Sequence, residues 1–311
     1  MDTEKFLFKA FGFIIRSDYY FKELSFLINE DNLLLADIDI RIEDLSTVWR
    51  EEGEIGKFNV KKNQTLFQVK DTAVFCVKDG NEILVSPFKE SDQDKVKLYI
   101  LGTCMGILLI QREVLPLHGS AISIAGKAYA IVGDSGAGKS TLASEFMKRG
   151  YDLLTDDIIP VIITSEGKPT VVPSYPQQKL WIESLRQFGM DSSKYRPLFD
   201  REEKFSVPLK NQFCNTSLPL GGVFELVKSV QDGIEIAKIT KLNKLQILST
   251  HTYRNQLISR SEKLEWHFKV ISELATNTFL YQLRRPPNCF TAADLADQIL
   301  YQINKEEPLH A

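Results

Sequence analysis

Cysteine is scarce in this sequence, and the four that occur, Cys76, Cys104, Cys214 and Cys289, stand far apart, with no CxxC pair and no histidine close by. That pattern argues against a zinc site or a disulfide framework and makes a reducing cytoplasm the expected compartment. A surplus of positive charge is missing as well: 38 Lys and Arg stand against 41 Asp and Glu, for a net charge of −3. Without a basic excess, neither nucleic acid nor a membrane surface is expected as a partner. Long apolar runs are also wanting. The most membrane-like stretch, LYILGTCMGILLI from Leu98 to Ile110, is bounded by Lys97 and Arg112. It is shorter than the roughly 20 residues that span a bilayer and reads as a buried helix. The opening FLFKAFGFII is interrupted by Lys9 and followed by no small-residue cleavage site, so it does not read as a secretory signal. Internal repeats and low-complexity segments are absent.

What is present is the composition of a soluble globular protein, 43% hydrophobic and 25% charged over 311 residues, long enough for two domains. The first hundred residues carry short β-branched and alternating runs, DIDIRI, KFNVKK, TLFQVK, TAVFCVK and EILVSPF. Turn signals separate them, among them the hairpin signature Asp79-Gly80-Asn81. Asp92 to Leu115 reads as a helix with Asp92 at its start. The expected division is a β-rich domain over 1–95, with substrate recognition as its candidate role, and a catalytic domain over 96–311. In the latter, strand–turn–strand (turn at Ala125-Gly126-Lys127), glycine-rich loop, helix and strand follow in order, and three amphipathic helices lie toward the C-terminus. The segment from Met190 to Thr216, rich in Ser, Asn and charge, is expected to be a mobile active-site loop, with Arg196, Arg201 and Lys204 as candidate cations.

The chemistry is concentrated in AIVGDSGAGKSTLASEFMKRGYDLLTDDIIPV, from Ala130 to Val161. Gly133, Asp134, Ser135, Gly136, Ala137, Gly138, Lys139 and Ser140 satisfy G-x-x-x-x-G-K-[ST] in full, between an apolar strand and a helix. Such glycines let successive backbone N–H groups face inward as an anion nest at a helix N-terminus, which Thr141 extends. Lys139 is then placed to reach the β- and γ-phosphates of ATP, and the Ser140 hydroxyl to coordinate Mg2+. Asp156 and Asp157 follow unusually soon. On one strand their side chains should point to opposite sides, so that one can face a metal and the other an attacking hydroxyl. A bare Asp-Asp pair is otherwise an N-cap and solvated turn. His118, in PLHGS, precedes a strand that should pair with the one entering the loop; a histidine there can shuttle a proton or be structural. His251, His267 and His310 read as structural or exposed.

The stretch LHGSAISIAGKAYAIVGDSGAGKSTLASEFMKRGYDLLTDD resembles the catalytic core of bacterial HPr kinase/phosphorylase: a His-Gly pair, two strands, the phosphate loop, a helix ending in RG and paired aspartates. The resemblance implies a mixed α/β fold with a P-loop kinase core of the HPr kinase and phosphoenolpyruvate carboxykinase type. It implies catalytic roles for His118, Lys139, Asp156 and Asp157, and metal binding by Ser140, Asp156 and Asp157, without saying which aspartate does which. After the aspartates that family has a glycine-rich signature resembling EIRGLGI, tied to its phosphorolytic reaction and subunit contacts; here the region reads QQKLWIESLRQFGM, from Gln177 to Met190. SYPQQKLW, KFSVPL and PLGGVFEL look like the group of kinases that phosphorylate the C-terminal serine of lasso-peptide precursors. The implied function is an ATP- and Mg2+-dependent serine kinase acting on a peptide or protein, with a homo-oligomer left open. The alternatives are a kinase for a small molecule such as free serine, and a nucleotide-binding sensor without catalysis.

Overall fold

The computed structural model describes residues 5–27, 36–198, 201–209, 211–229, 233–240, 242–287 and 289–306. The chain forms two compact units, one of Met1–Pro116 with Arg254–His267, the other of Leu117–Tyr253 with Phe268–Ala311. The division thus falls at 116/117 rather than at 95/96, and a late segment joins the early unit. The physical reason is burial. The helical stretch after residue 92 is apolar nearly all round and packs on the sheet of the first unit.

In that unit, β1 (Phe6–Ala10), β2 (Phe13–Ser17), β3 (Ser25–Phe26), β4 (Ile38–Ile42), β5 (Phe58–Lys61), β6 (Gln64–Val69), β7 (Ala73–Lys78) and β8 (Glu82–Pro87) form one sheet in the order β3-β1-β2-β4-β8-β7-β6-β5. The β7–β8 turn has positive φ at both Asp79 and Gly80, and with Asn81 these make the tight hairpin connection between Lys78 and Glu82 that the sequence signals. β7 is buried on both faces. Val74 and Cys76 share a cluster with Val48 and Trp49 of α1 (Ser46–Glu52), while Phe75 meets Tyr99 of α2 (Gln93–Tyr99). The helix continues through a wider π-helical turn, Ile100–Cys104, into α3 (Met105–Gln111), and Asp92 caps its start by accepting from the N–H groups of Asp94 and Lys95.

The second unit is mixed α/β with two sheets. Its strands are β9 (Leu115–Ile124), β10 (Lys127–Val132), β11 (Asp152–Ile163), β12 (Pro169–Val171), β13 (Gln177–Trp181), β14 (Arg196–Leu198), β15 (Arg201–Pro208), β16 (Leu218–Lys228), β17 (Glu235–Ile239) and β18 (Phe279–Arg285). The larger sheet runs β10-β9-β11-β12-β16-β18-β17, with β10 also bonded to β16. β10, β16 and β18 are parallel, so their C-terminal ends meet on one side of the unit. Helices α4 (Lys139–Lys148) and α8 (Ala292–Glu306) pack on them; α5 (Ile182–Gln187), α6 (Leu242–Thr250) and α7 (Leu264–Asn277) complete the set. α8 buries Ala292, Leu295, Ala296, Ile299 and Ile303, a one-sided stripe, against Phe146 of α4 and Phe224, Tyr281 and Leu283 of the strands.

The segment 190–216 corrects its sequence reading. It carries β14 and β15, which with β13 make a three-stranded antiparallel sheet. Phe205 and Val207 of β15 are buried with Leu180 and Leu185. The alternate positions, solvated, supply the polar composition that reads as loop.

Candidate active site

The hairpin β9–β10 turns at Ala125 and Gly126, both with positive φ, and sets Gly119 opposite Val132. Gly119 has to be glycine, because a Cβ there would stand 2.2 Å from the carbonyl oxygen of Ile131. This close approach explains the second residue of the His-Gly pair and brings His118 to the strand end where β10 runs into the glycine-rich loop. In that loop Gly133, Gly136 and Gly138 all have positive φ, which turns the backbone into the N-terminus of α4. Asp134, Ser135 and Gly136 are exposed, whereas Ala137 is buried beneath them. Lys139 folds back over the loop, its Nζ donating to the carbonyls of Gly133 at 2.8 Å and Asp134 at 2.9 Å. Its burial pushes the ammonium down to about 8, with Asp156 and Asp157 acting the other way, so it remains a cation at neutral pH.

Asp156 and Asp157 sit in the middle of β11, and Asp157 has φ 78°. Simple strand alternation would separate the two carboxylates. The left-handed residue breaks it, and both side chains converge on Lys179 of β13. Asp156 Oδ2 accepts the Lys179 backbone N–H at 2.8 Å; Asp157 Oδ2 accepts Lys179 Nζ at 2.7 Å. Otherwise their surroundings differ. Asp156, 5% exposed, also accepts from Ser120 Oγ at 2.5 Å and Ser140 Oγ at 2.9 Å, and so is tied to the loop. Asp157 faces cations. Burial pushes its carboxyl up, but Lys179, Lys204 and His118 outweigh that and hold it well below the usual carboxylate range. The same ion pair holds Lys179 charged above its ordinary value against the effect of burial.

His118 Nδ1 donates to the Asp157 carbonyl at 3.0 Å and lies 3.9 Å from its Oδ1, with the ring beside Tyr253. Burial first, then Lys139, pushes the imidazole below its ordinary value, Asp157 opposing. The neutral tautomer is therefore protonated at Nδ1 and carries its lone pair on Nε2.

The structure thus brings His118, Lys139, Ser140, Asp156 and Asp157 into one polar cluster, with Gly133 to Thr141 wrapped beside it. Of the candidate cations, Lys204 acts on Asp157, His118 and Lys139 through its charge and lies across from Trp181. Arg196 is exposed on β14, and the side chain of Arg201 falls outside the described residues. Several contributors escaped sequence reading. Ser120 and Lys179 hold the aspartates, and Gln178 bonds the Ser140 carbonyl at 2.8 Å while accepting from Ser144 Oγ at 2.8 Å. Arg285, ending β18, donates to the Ala137 carbonyl at 3.0 Å. The one available signal was Lys179 itself, a lysine inside the otherwise apolar or amide run QQKLW.

Deeper in the sheet, His251 Nε2 and Glu225 Oε1 are bonded at 2.8 Å, Gln282 donates to Glu225 Oε2 at 2.7 Å, and the His118 backbone N–H donates to the His251 carbonyl at 2.7 Å. His251 and His267 are both buried; His310 lies outside the described residues. Among the described residues no group of three or more His, Cys, Asp or Glu could cage a metal. The hard oxygen pair of Ser140 Oγ and Asp156 instead suits a Mg2+ that keeps several waters.

Comparison with known proteins meets this geometry at one place. Residues 111–188 match the family model described as HPr Serine kinase C-terminal domain. That stretch holds His118, the glycine-rich loop, both aspartates and Lys179. An HPr kinase/phosphorylase of Mycoplasmopsis pulmonis is 39% identical over 69 residues, 22% of either chain. One from Clostridium botulinum is 35% identical over 74 residues, 24% of this chain and 23% of the relative. One from Listeria monocytogenes is 30% identical over 130 residues, 39% of this chain and 41% of the relative. The chain therefore matches less than half the length of these relatives. A solved structure of the HPr(Ser) kinase/phosphatase from Coxiella burnetii aligns over 61% of this chain and 97% of its own at 12% identity and a TM-score of 0.33. No helix among the described residues is long and apolar enough to cross a membrane.

Proposed function

We propose that this chain is an ATP- and Mg2+-dependent kinase that transfers the γ-phosphoryl group to a serine hydroxyl of a peptide or protein. The observation that carries this reading is the split of the two aspartates about Lys179, one bonded to the loop serine and the other turned to a cationic pocket with His118. The loop amides of Gly133 to Ser140 hold the phosphates. Lys139 exchanges its two carbonyl partners for phosphate oxygens, a trade of neutral for charged acceptors that strengthens each bond. Ser140 and Asp156 would hold Mg2+, which supplies charge neutralisation on the phosphates. Asp157 accepts the hydrogen bond of the acceptor hydroxyl and takes its proton as the serine oxygen bonds to phosphorus and ADP leaves. A carboxylate held well ionised is a weak base, which suffices where the transition state is loose and positioning carries most of the rate. His118 fixes Asp157 through its backbone carbonyl and leaves Nε2 toward the site as a second proton acceptor.

Within this class, the likeness of SYPQQKLW, KFSVPL and PLGGVFEL to the lasso-peptide precursor kinases supports a precursor peptide ending in serine as the acceptor, and the first unit is the proposed recognition part. The test is incubation with ATP, Mg2+ and such a peptide, read by mass spectrometry for one added phosphate. Transfer to the peptide and no extra ADP release with free serine is the expected result. Nucleotide binding without transfer to any serine-containing peptide overturns the kinase reading and leaves a sensor; ADP release driven by free serine makes it a metabolite kinase.

A further inference from the structure

A cavity of about 720 Å³ opens beside the glycine-rich loop, with Trp181 and Ser184 also in its wall. Gly136, Gly138 and Thr141 border it, whereas Lys139, Ser140, Asp156 and Asp157 do not. Its volume is that of a small-molecule site. Two cations stand at its inner end, Lys228 and Arg285, the register-paired last residues of the parallel strands β16 and β18. Arg285 is anchored by its bond to the Ala137 carbonyl, and its guanidinium packs against Gly138, 3.3 Å from where a Cβ there would lie. At the outer end Phe290, 44% exposed although a large apolar side chain, meets Phe188 edge to face at 5.7 Å. Cationic at the loop and aromatic at the mouth, the cavity has the polarity of a nucleoside monophosphate.

We infer that this cavity holds the nucleoside half of the nucleotide, with Arg285 and Lys228 on the phosphate nearest the ribose and the base stacked on Phe290. The inference rests on the phosphate-loop reading above and adds a direction to it. The polyphosphate runs along the loop from the cavity to Asp156, so neither aspartate has to accommodate the base.

Comparing ATP with inorganic tripolyphosphate separates the cavity from the loop, since both ligands carry three phosphates and only one carries a nucleoside. Calorimetric titration of the full chain is expected to show Phe290→Ala weakening ATP by about tenfold, the scale of one base–aromatic stack, with tripolyphosphate unchanged and Phe290→Tyr restoring ATP. Arg285→Gln should weaken both ligands. Equal ATP affinity in wild type and Phe290→Ala, or equal losses for ATP and tripolyphosphate, overturns the assignment. A raised KM for the acceptor peptide with ATP unaffected does the same and gives the cavity to the acceptor. If wild type binds neither ligand, the phosphate-loop reading fails first and this inference with it, whereas tripolyphosphate binding with insensitive ATP binding sinks the inference alone.

Discussion

The two compact units bury different kinds of polarity. In the first, the buried polar side chains among the described residues are Ser17, Thr65, Thr72, Thr103, Ser261 and His267, none of them a Lys, Arg, Asp or Glu. In the second, Lys139, Glu145, Asp156, Lys179 and Glu225 are all buried. Each has a partner: Lys139 the loop carbonyls, Glu145 Arg149, Asp156 two hydroxyls and an amide, Lys179 Asp157, and Glu225 His251 and Gln282. Taking a charge out of water is costly unless it is paired, and a well-packed apolar substitute is often at least as stable. The first unit follows that cheaper rule. The second departs from it, and three of its five buried charges, Lys139, Asp156 and Lys179, gather at the glycine-rich loop, which is where a phosphoryl-transfer site would need fixed charges.

The largest effect should come from removing the carboxylate proposed to meet the acceptor hydroxyl. Asp157→Asn is expected to cut phosphoryl transfer by about 10²- to 10⁴-fold, the usual contribution of a positioned proton acceptor, while ATP affinity measured by titration stays near that of wild type. Equal loss of binding and turnover would make the second unit's charges structural and dissolve the contrast. Next, Lys179→Met leaves the half-buried Asp157 without its ion-pair partner, which should cost about 3 kcal/mol or less in denaturant unfolding. The double variant Lys179→Met/Asp157→Asn should recover most of that, because the orphaned charge is gone; additive losses would mean that the pair is not the source. In the first unit, Ile83→Val in β8, at a fully buried position, should cost about 0.5–1.5 kcal/mol and leave nucleotide affinity unmoved.

The smallest expected effect is a pH dependence. Burial pushes Glu225 up, but its bonds to His251 and Gln282 and the charge of His251 outweigh that and hold it below its ordinary 4.5. A carboxylate with a depressed folded value contributes stability in full above that ordinary value and loses it as pH falls through the folded one. Thermal melts below pH 4.5 should therefore fall more steeply for wild type than for Glu225→Gln, and parallel slopes would remove Glu225 from the account.

The sequence was legible where a conformation is written in consecutive residues. The Gly133–Ser140 loop needs a strand before it and a helix after it, and both are local. The Asp79-Gly80 hairpin is a two-residue conformational demand, equally local. What failed did so because the partner came from elsewhere. Asp156 and Asp157 were expected on opposite sides of a strand, and positive φ at Asp157, with Lys179 supplied 22 residues later, drew them together. KFSVPL reads as a short strand and is the core of β15, whereas β14 escaped because a sheet with one wet face has half its residues polar. The first unit extends to Pro116 because the apolar helical stretch after residue 92 packs on its sheet, and it also takes in the late segment Arg254–His267, a return that no local pattern marks.

By itself, then, the order of residues determined the phosphate-loop geometry, the hairpin turns, the amphipathic stripe of α8 and the presence of an early aspartate pair, since each depends on φ/ψ preferences or periodicity within a few residues. Only the tertiary structure decided the different surroundings of Asp156 and Asp157, the recruitment of Ser120, Lys179 and Arg285, the Glu225–His251 pair and the cavity beside the loop. Those depend on which strand ends meet, and long-range pairing is set by burial of whole faces rather than by any neighbouring residue.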